Sequence, residues 1–223
     1  MKTNEELQKD VQDAIKWEPL LHAAEIGVIV KDGIVTLTGI VDNYYKKTEA
    51  ENAAKKVGGV KAVVEKIEIQ DARHFIKNDT DIASDLVKSF SENLLLPHNN
   101  LTVKVEDGWV TLEGQLGWNY QKELARKSAT ELRGVKGVIN NISVQSESNS
   151  AIEKKHVENA LARHWAINAK DITVSVSGTT VTLTGDVTSL YQKEEAARIT
   201  WNTPGVAFVK NELAVDYDYA FTE

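Results

Sequence analysis

Eight residues, Asp32-Gly33-Ile34-Val35-Thr36-Leu37-Thr38-Gly39, return as Asp107-Gly108-Trp109-Val110-Thr111-Leu112-Glu113-Gly114. They return again as Gly178-Thr179-Thr180-Val181-Thr182-Leu183-Thr184-Gly185, where the turn reads as one residue longer. The closing glycines stand 75 and 71 residues apart. Tyr45, Tyr120 and Tyr191 keep both spacings, as do Gly59-Val60, Gly134-Val135 and Gly205-Val206. Self-similarity at fixed spacing marks a repeated structural unit. It overrides the one or two domains that 223 residues would suggest. The chain divides into three modules, at residues 1–70, 76–145 and 148–217.

Each copy carries the same order of periodicities. An opening apolar stripe has helical spacing: Leu7, Val11, Ala14 and Ile15, then Ile82, Leu86, Ser89 and Phe90, then Val157, Ala160 and Leu161. A strand follows, alternating as Ile26, Val28, Val30, with Leu101, Val103, Val105 and Ile172, Val174, Val176 after it. Asp-Gly then suits a two-residue hairpin, because both positions tolerate positive φ. The second strand buries Val35 and Leu37, or Val110 and Leu112, or Val181 and Leu183. A second helix presents mainly small residues, Ala50, Ala53 and Ala54 in the first copy, and ends at a capping glycine. A last alternating strand closes the module. The predicted class is α+β: three tandem α-β-β-α-β modules, each a three-stranded mixed sheet packed against two helices. Polar stretches at 70–79 and 145–150 read as connectors, and residues 216–223 as a tail outside the repeat.

Composition excludes several functions. No apolar run reaches the ~18 residues of a membrane span. The first ten residues hold no apolar leader core, so the sequence predicts a cytoplasmic protein, or a periplasmic one if a leader has been removed. There is no Cys, hence no disulfide and no thiolate chemistry. Net charge is −7 without a Lys/Arg cluster, which argues against nucleic acid as a partner. The same charge weakens long-range attraction to anionic membranes.

The α-β-β-α-β order, the Asp-Gly hairpin, the Val-Thr-Leu-Thr-Gly strand and the Gly-Val after the second helix together resemble the BON domain (bacterial OsmY and nodulation) family. The resemblance covers about nine-tenths of the chain, in three copies. It implies a bacterial stress- or envelope-associated protein that binds phospholipid or a similar surface and is not an enzyme. Some cytoplasmic relatives pair one such domain with another module and sense potassium, which makes an ion or solute sensor the alternative. Homo-oligomeric protein interaction is a third option.

No nucleophile elbow, phosphate loop or dinucleotide fingerprint is present, and no cofactor is expected. His22, His74, His98, His156 and His164 do not follow the repeat. His156 and His164 are eight apart, unlike an i, i+4 metal pair. Glu106-Asp107 and Glu194-Glu195 read as solvated carboxylates. Asp32 and Asp107 are explained by their turns, without a cation. Gly39, Gly114 and Gly185 read as places of close backbone approach. Tyr45, Tyr120 and Tyr191 recur and so read as core or capping residues. Trp109, Trp118 and Trp201 have no aromatic counterparts in the other copies. They are the candidate binding surface, for lipid, a protein partner, self-association or contact between modules.

Overall fold

In each copy the hairpin turn is held by a backbone bond from the segment that follows the second helix, and in the first two copies by the opening helix as well. The computed structural model describes residues 2–21, 26–70, 77–145 and 152–216. His22, His74, most of the two connectors and nearly all of the tail lie outside the described residues. The first module runs α1 (Asn4–Lys16), β1 (Ile26–Lys31), β2 (Ile34–Val41), α2 (Tyr44–Lys55) and β3 (Ala62–Ile69). The second runs α3 (Asp79–Glu92), β4 (Leu101–Glu106), β5 (Trp109–Leu116), α4 (Asn119–Thr130) and β6 (Gly137–Val144). The third runs α5 (Lys154–Ala162), β7 (Ile172–Ser177), β8 (Thr180–Val187), α6 (Leu190–Trp201) and β9 (Phe208–Val215). Each sheet is three-stranded and mixed, with the middle strand of the sequence also central in space. Thus β4 runs antiparallel to β5 while β6 runs parallel to it, and β7, β8 and β9 repeat the arrangement.

The chain forms two compact units. One comprises residues 1–40, 46–68 and 150–223, and so holds most of the first module and the third. The other comprises residues 41–45 and 69–149, with Tyr44 packed against the core of the second module.

The hairpin turns show how the sequence enforces the register. Asp32 and Asp107 sit at φ 53° and 51°, each followed by a glycine at positive φ. The third turn is not longer: Ser177 pairs with Thr180 across two residues, Gly178 and Thr179. Only Gly178 lies at positive φ there, the variant hairpin that requires glycine first. A different turn chemistry therefore accounts for what reads as an insertion. The opening helix fastens the turn. The Asp32 N–H donates to Asn4 Oδ1 at 2.9 Å, and the Asp107 and Gly108 N–H groups donate to the Asp79 carboxylate at 2.8 and 2.9 Å.

A second clasp joins the last strand to the second helix. Asn140 and Asn211 donate from Nδ2 to the carbonyls of Lys122 and Lys193, and each accepts from the N–H two residues on. Glu65 holds this position in the first module. Its carboxylate cannot donate, so it takes the Lys47 ammonium instead, 2.6 Å away. Edge strands β3, β6 and β9 are thereby tied down along the helix side.

The third module departs from its siblings in one element. The opening helices start at 4, 79 and 154, a constant spacing of 75, but α5 has 9 residues where α1 has 13 and α3 has 14. The missing turn removes a core contact. Ile15 and Phe90 are buried on α1 and α3, whereas the residue at the same spacing, Trp165, is 90% exposed. His164 reaches α6 there, its Nε2 3.0 Å from the carboxylate of Glu195, which is buried and not solvated as its sequence context suggests.

Candidate functional site

After each opening helix the chain makes one four-residue turn that recurs in all copies. Leu21 N–H donates to Glu18 O, Leu96 N–H to Asn93 O, and Ile167 N–H to His164 O, at 3.0, 3.0 and 3.1 Å. The fourth residue of each turn, Leu21, Leu96 or Ile167, is buried as an anchor. The anchoring forces what precedes it outward. Leu94 is 100% exposed, and Leu20 and Leu95 are more than half exposed. Trp165 occupies the same turn in the third module, and Trp17 stands at the C-cap of α1, 83% exposed. Surface turns normally carry Gly, Pro, Asn or Asp. Leaving a Leu or Trp in water forgoes roughly 1.5–3 kcal/mol per side chain relative to burial. Repeated at one place in three modules, this is the pattern of a contact surface.

The second module assembles the fullest version. Gln121, in the first turn of α4, donates from Nε2 to the Leu95 carbonyl at 3.1 Å and accepts the Trp118 N–H on Oε1 at 3.2 Å. One side chain thus ties the Leu94–Leu95 turn to the start of α4. Trp118 and Tyr120 stand there, partly exposed, with ring centroids 6.5 Å apart. Leu94, Leu95, Trp118 and Tyr120 form one apolar and aromatic end. Asp85, Lys88 and Glu92 flank the turn, so its border is of mixed charge. In the third module the equivalent end is a cleft of about 640 Å³, lined by Trp165, Ala166, Thr188, Ser189, Tyr191 and Gln192 together with Lys56 and Gly58 of the first module.

The structure separates the three tryptophans singled out by sequence. Trp118 joins the apolar end just described. Trp109 lies elsewhere, half exposed on the open face of its sheet, with its ring across Gly137 of the parallel neighbour. Trp201 is half-buried against the core of the third module, edge-on to Phe208 at 6.5 Å. Its position off the helical stripe predicted exposure; the neighbouring Phe208 on β9 covers it instead. Tyr120 is not a core residue: it is 44% exposed, because the start of α4 faces outward at the apolar end. Trp17, Leu20, Leu94, Leu95 and Trp165 escaped the sequence reading. Their signal was apolar bulk in a stretch lacking both helical and strand periodicity.

Among the described residues no cluster of three or more His, Asp or Glu could hold a metal ion, and no helix is long and apolar enough to cross a membrane. A model of the BON domain matches residues 3–71, 78–146 and 149–217. The chain belongs to the BON domain family. It is similar to osmotically-inducible protein Y of Escherichia coli (strain K12), with 29% identity over 129 residues, 56% of this chain. That stretch is 64% of the relative, less than two thirds of its length. Two solved structures of CdsD, a structural protein of the type III secretion system of Chlamydia trachomatis, align at 18% identity. One, its C-terminal domain, pairs 96% of this chain with 98% of that chain at a TM-score of 0.25. The other pairs 95% with 94% at 0.24. Scores at that level carry no inference for these BON modules.

Proposed function

We propose that this chain is a non-enzymatic binding protein of bacterial osmotic-stress or envelope physiology, and that its BON modules seat on phospholipid surfaces through their apolar turns. One observation carries the reading: Leu94 and Leu95 project into water beside Trp118 and Tyr120, held there by Gln121. Leu prefers hydrocarbon, whereas Trp and Tyr prefer the boundary between hydrocarbon and headgroup. The name of the Escherichia coli relative, osmotically-inducible protein Y, supports the physiological setting.

The force involved is apolar. Net charge is −7, and carboxylates accompany Lys88 beside the turn. Insertion of Leu94 and Leu95 would contribute about 1.5–3 kcal/mol each, without counterion release. Co-sedimentation with phosphatidylcholine vesicles, with and without phosphatidylglycerol, tests this. Binding is expected to both compositions, to persist in high salt, and to fall at least about tenfold in Leu94→Asp/Leu95→Asp. Absence of binding to either composition at low salt rules the reading out.

A further inference from the structure

The third module differs from the others along the groove between α5 and α6. This groove has a volume of about 480 Å³ and is lined by His156, Asn159, Arg163, His164, Asn202 and Thr203 over Ala160, Ile199 and Pro204. Its polar lining is made of amides, a hydroxyl, two imidazoles and a guanidinium, with no carboxylate. Arg163 makes no side-chain ion pair or hydrogen bond among the described residues. Two carboxylates lie near. Glu153 approaches His156 Nε2 at 3.4 Å from the exposed residue before α5. Glu195 stands behind His164, its charge taken up by Arg198 through bonds of 2.7 and 2.6 Å.

The repeat supplies the control. At the helix spacing of 75, the positions of His156, Ala160 and Arg163 hold Asp81, Asp85 and Lys88 in the second module, and Glu6, Asp10 and Asp13 in the first. Three modules share one fold, so the fold does not require a cationic, donor-rich face here. Only the third copy has it, and only the third copy has the shortened helix that brings His164 to the groove.

We infer that this groove binds a phosphoryl group, with Arg163 as its principal ligand and His156, Asn159, Asn202 and Thr203 supplying further hydrogen-bonding groups. A planar guanidinium offers two parallel donors to phosphate oxygens, the geometry that makes Arg the preferred residue for such anions. The group could be carried by a soluble phosphate or by a lipid headgroup. His164 leads directly into the Trp165 turn, its ring 6.3 Å from the indole, so a headgroup would lie beside an apolar side chain already in solvent. The lipid arm alone rests on the function proposed above.

The test is titration of the full chain with inorganic phosphate, followed by calorimetry and by the histidine ring signals in NMR. Sedimentation with phosphatidylcholine vesicles, with and without phosphatidic acid, runs in parallel. Saturable phosphate binding, weakened about tenfold or more in Arg163→Gln and unchanged in Lys88→Gln, is expected. Arg163 is exposed, so thermal melting should not change. A gain on adding phosphatidic acid that Arg163→Gln abolishes identifies the lipid source; phosphate binding without that gain identifies the soluble one. If Arg163→Gln alters neither arm, or if neither phosphate nor phosphatidic acid is recognised, the inference fails. Vesicle binding that survives Arg163→Gln but not Leu94→Asp/Leu95→Asp, with phosphate titration equally unaffected by Arg163→Gln, would overturn it while leaving the apolar reading intact.

Discussion

Trp109 and Gly137 are partners across the parallel strands β5 and β6, and the indole lies where a Gly137 side chain would go. A Cβ added at Gly137 would fall 2.3 Å from Trp109 Cζ3. The third module reverses the pair, with Thr180 on the central strand opposite Phe208 on the edge. Large and small residues have exchanged strands, and one large ring covers the same place on each sheet face. Gly137→Ala should therefore displace the indole. A destabilisation of about 1 kcal/mol is expected, since a half-exposed ring can swing aside. Trp109→Thr/Gly137→Phe should restore stability by copying the third module. Thermal unfolding, with indole emission as a second readout, distinguishes displacement from a general loss of packing.

A clash against backbone is a different matter. Gly114 and Gly185 have φ of 134° and 121°. A Cβ on them would lie 2.0 Å from the Asn100 carbonyl oxygen and 1.9 Å from that of Asp171. Neither carbonyl belongs to a side chain that can turn away. Gly114→Ala and Gly185→Ala should each cost about 3 kcal/mol or more, several times the loss at Gly137. Hydrogen exchange should place the loss in the second module for Gly114→Ala and in the third for Gly185→Ala. A cost below 1 kcal/mol would refute the close-approach explanation.

These glycines also show why the fold was readable. A residue forced by backbone geometry must recur wherever the geometry recurs, so Gly39, Gly114 and Gly185 stand in all three copies opposite the first residue of the opening strand, two residues before the second strand ends rather than at its end. The apolar turns were less legible. Pro19-Leu20, Leu94-Leu95 and Trp165-Ala166 keep the turn but have no residue type common to all three, because solvent-facing positions impose no shape to match. Only the buried anchors Leu21, Leu96 and Ile167 align them, and those look like ordinary core. Trp109 misled for a related reason. Its counterpart Phe208 lies on another strand, so comparison along the sequence finds no aromatic where comparison across the sheet does.

The contact between Glu195 and Arg198 makes the third module sensitive to acid. Hydrogen bonds from Arg198 hold the Glu195 carboxyl below the usual carboxylate range, against the opposing effect of burial and with help from the guanidinium charge. A carboxyl more acidic when folded gives the folded state fewer bound protons near its titration. The stability it confers is complete above the unfolded value near ~4.3 and is lost as the pH falls through the folded value. Glu195→Gln should lower the melting temperature of the third module at neutral pH and flatten its decline in acid. The second module places Leu124 at the Glu195 position and Asn93 at the His164 position of the turn. His164→Asn/Glu195→Leu copies that solution, leaving Arg198 half exposed to water. Exchange of a buried charge network for apolar packing is often neutral or better. The double variant should therefore stay within about 1 kcal/mol of the parent at pH 7 and lack this acid-dependent loss. Melting curves from pH 7 down to about 3 decide it, spanning the carboxylate range. A double variant that declines in acid as steeply as the parent would show that other carboxylates, not Glu195, set the acid limit of the module.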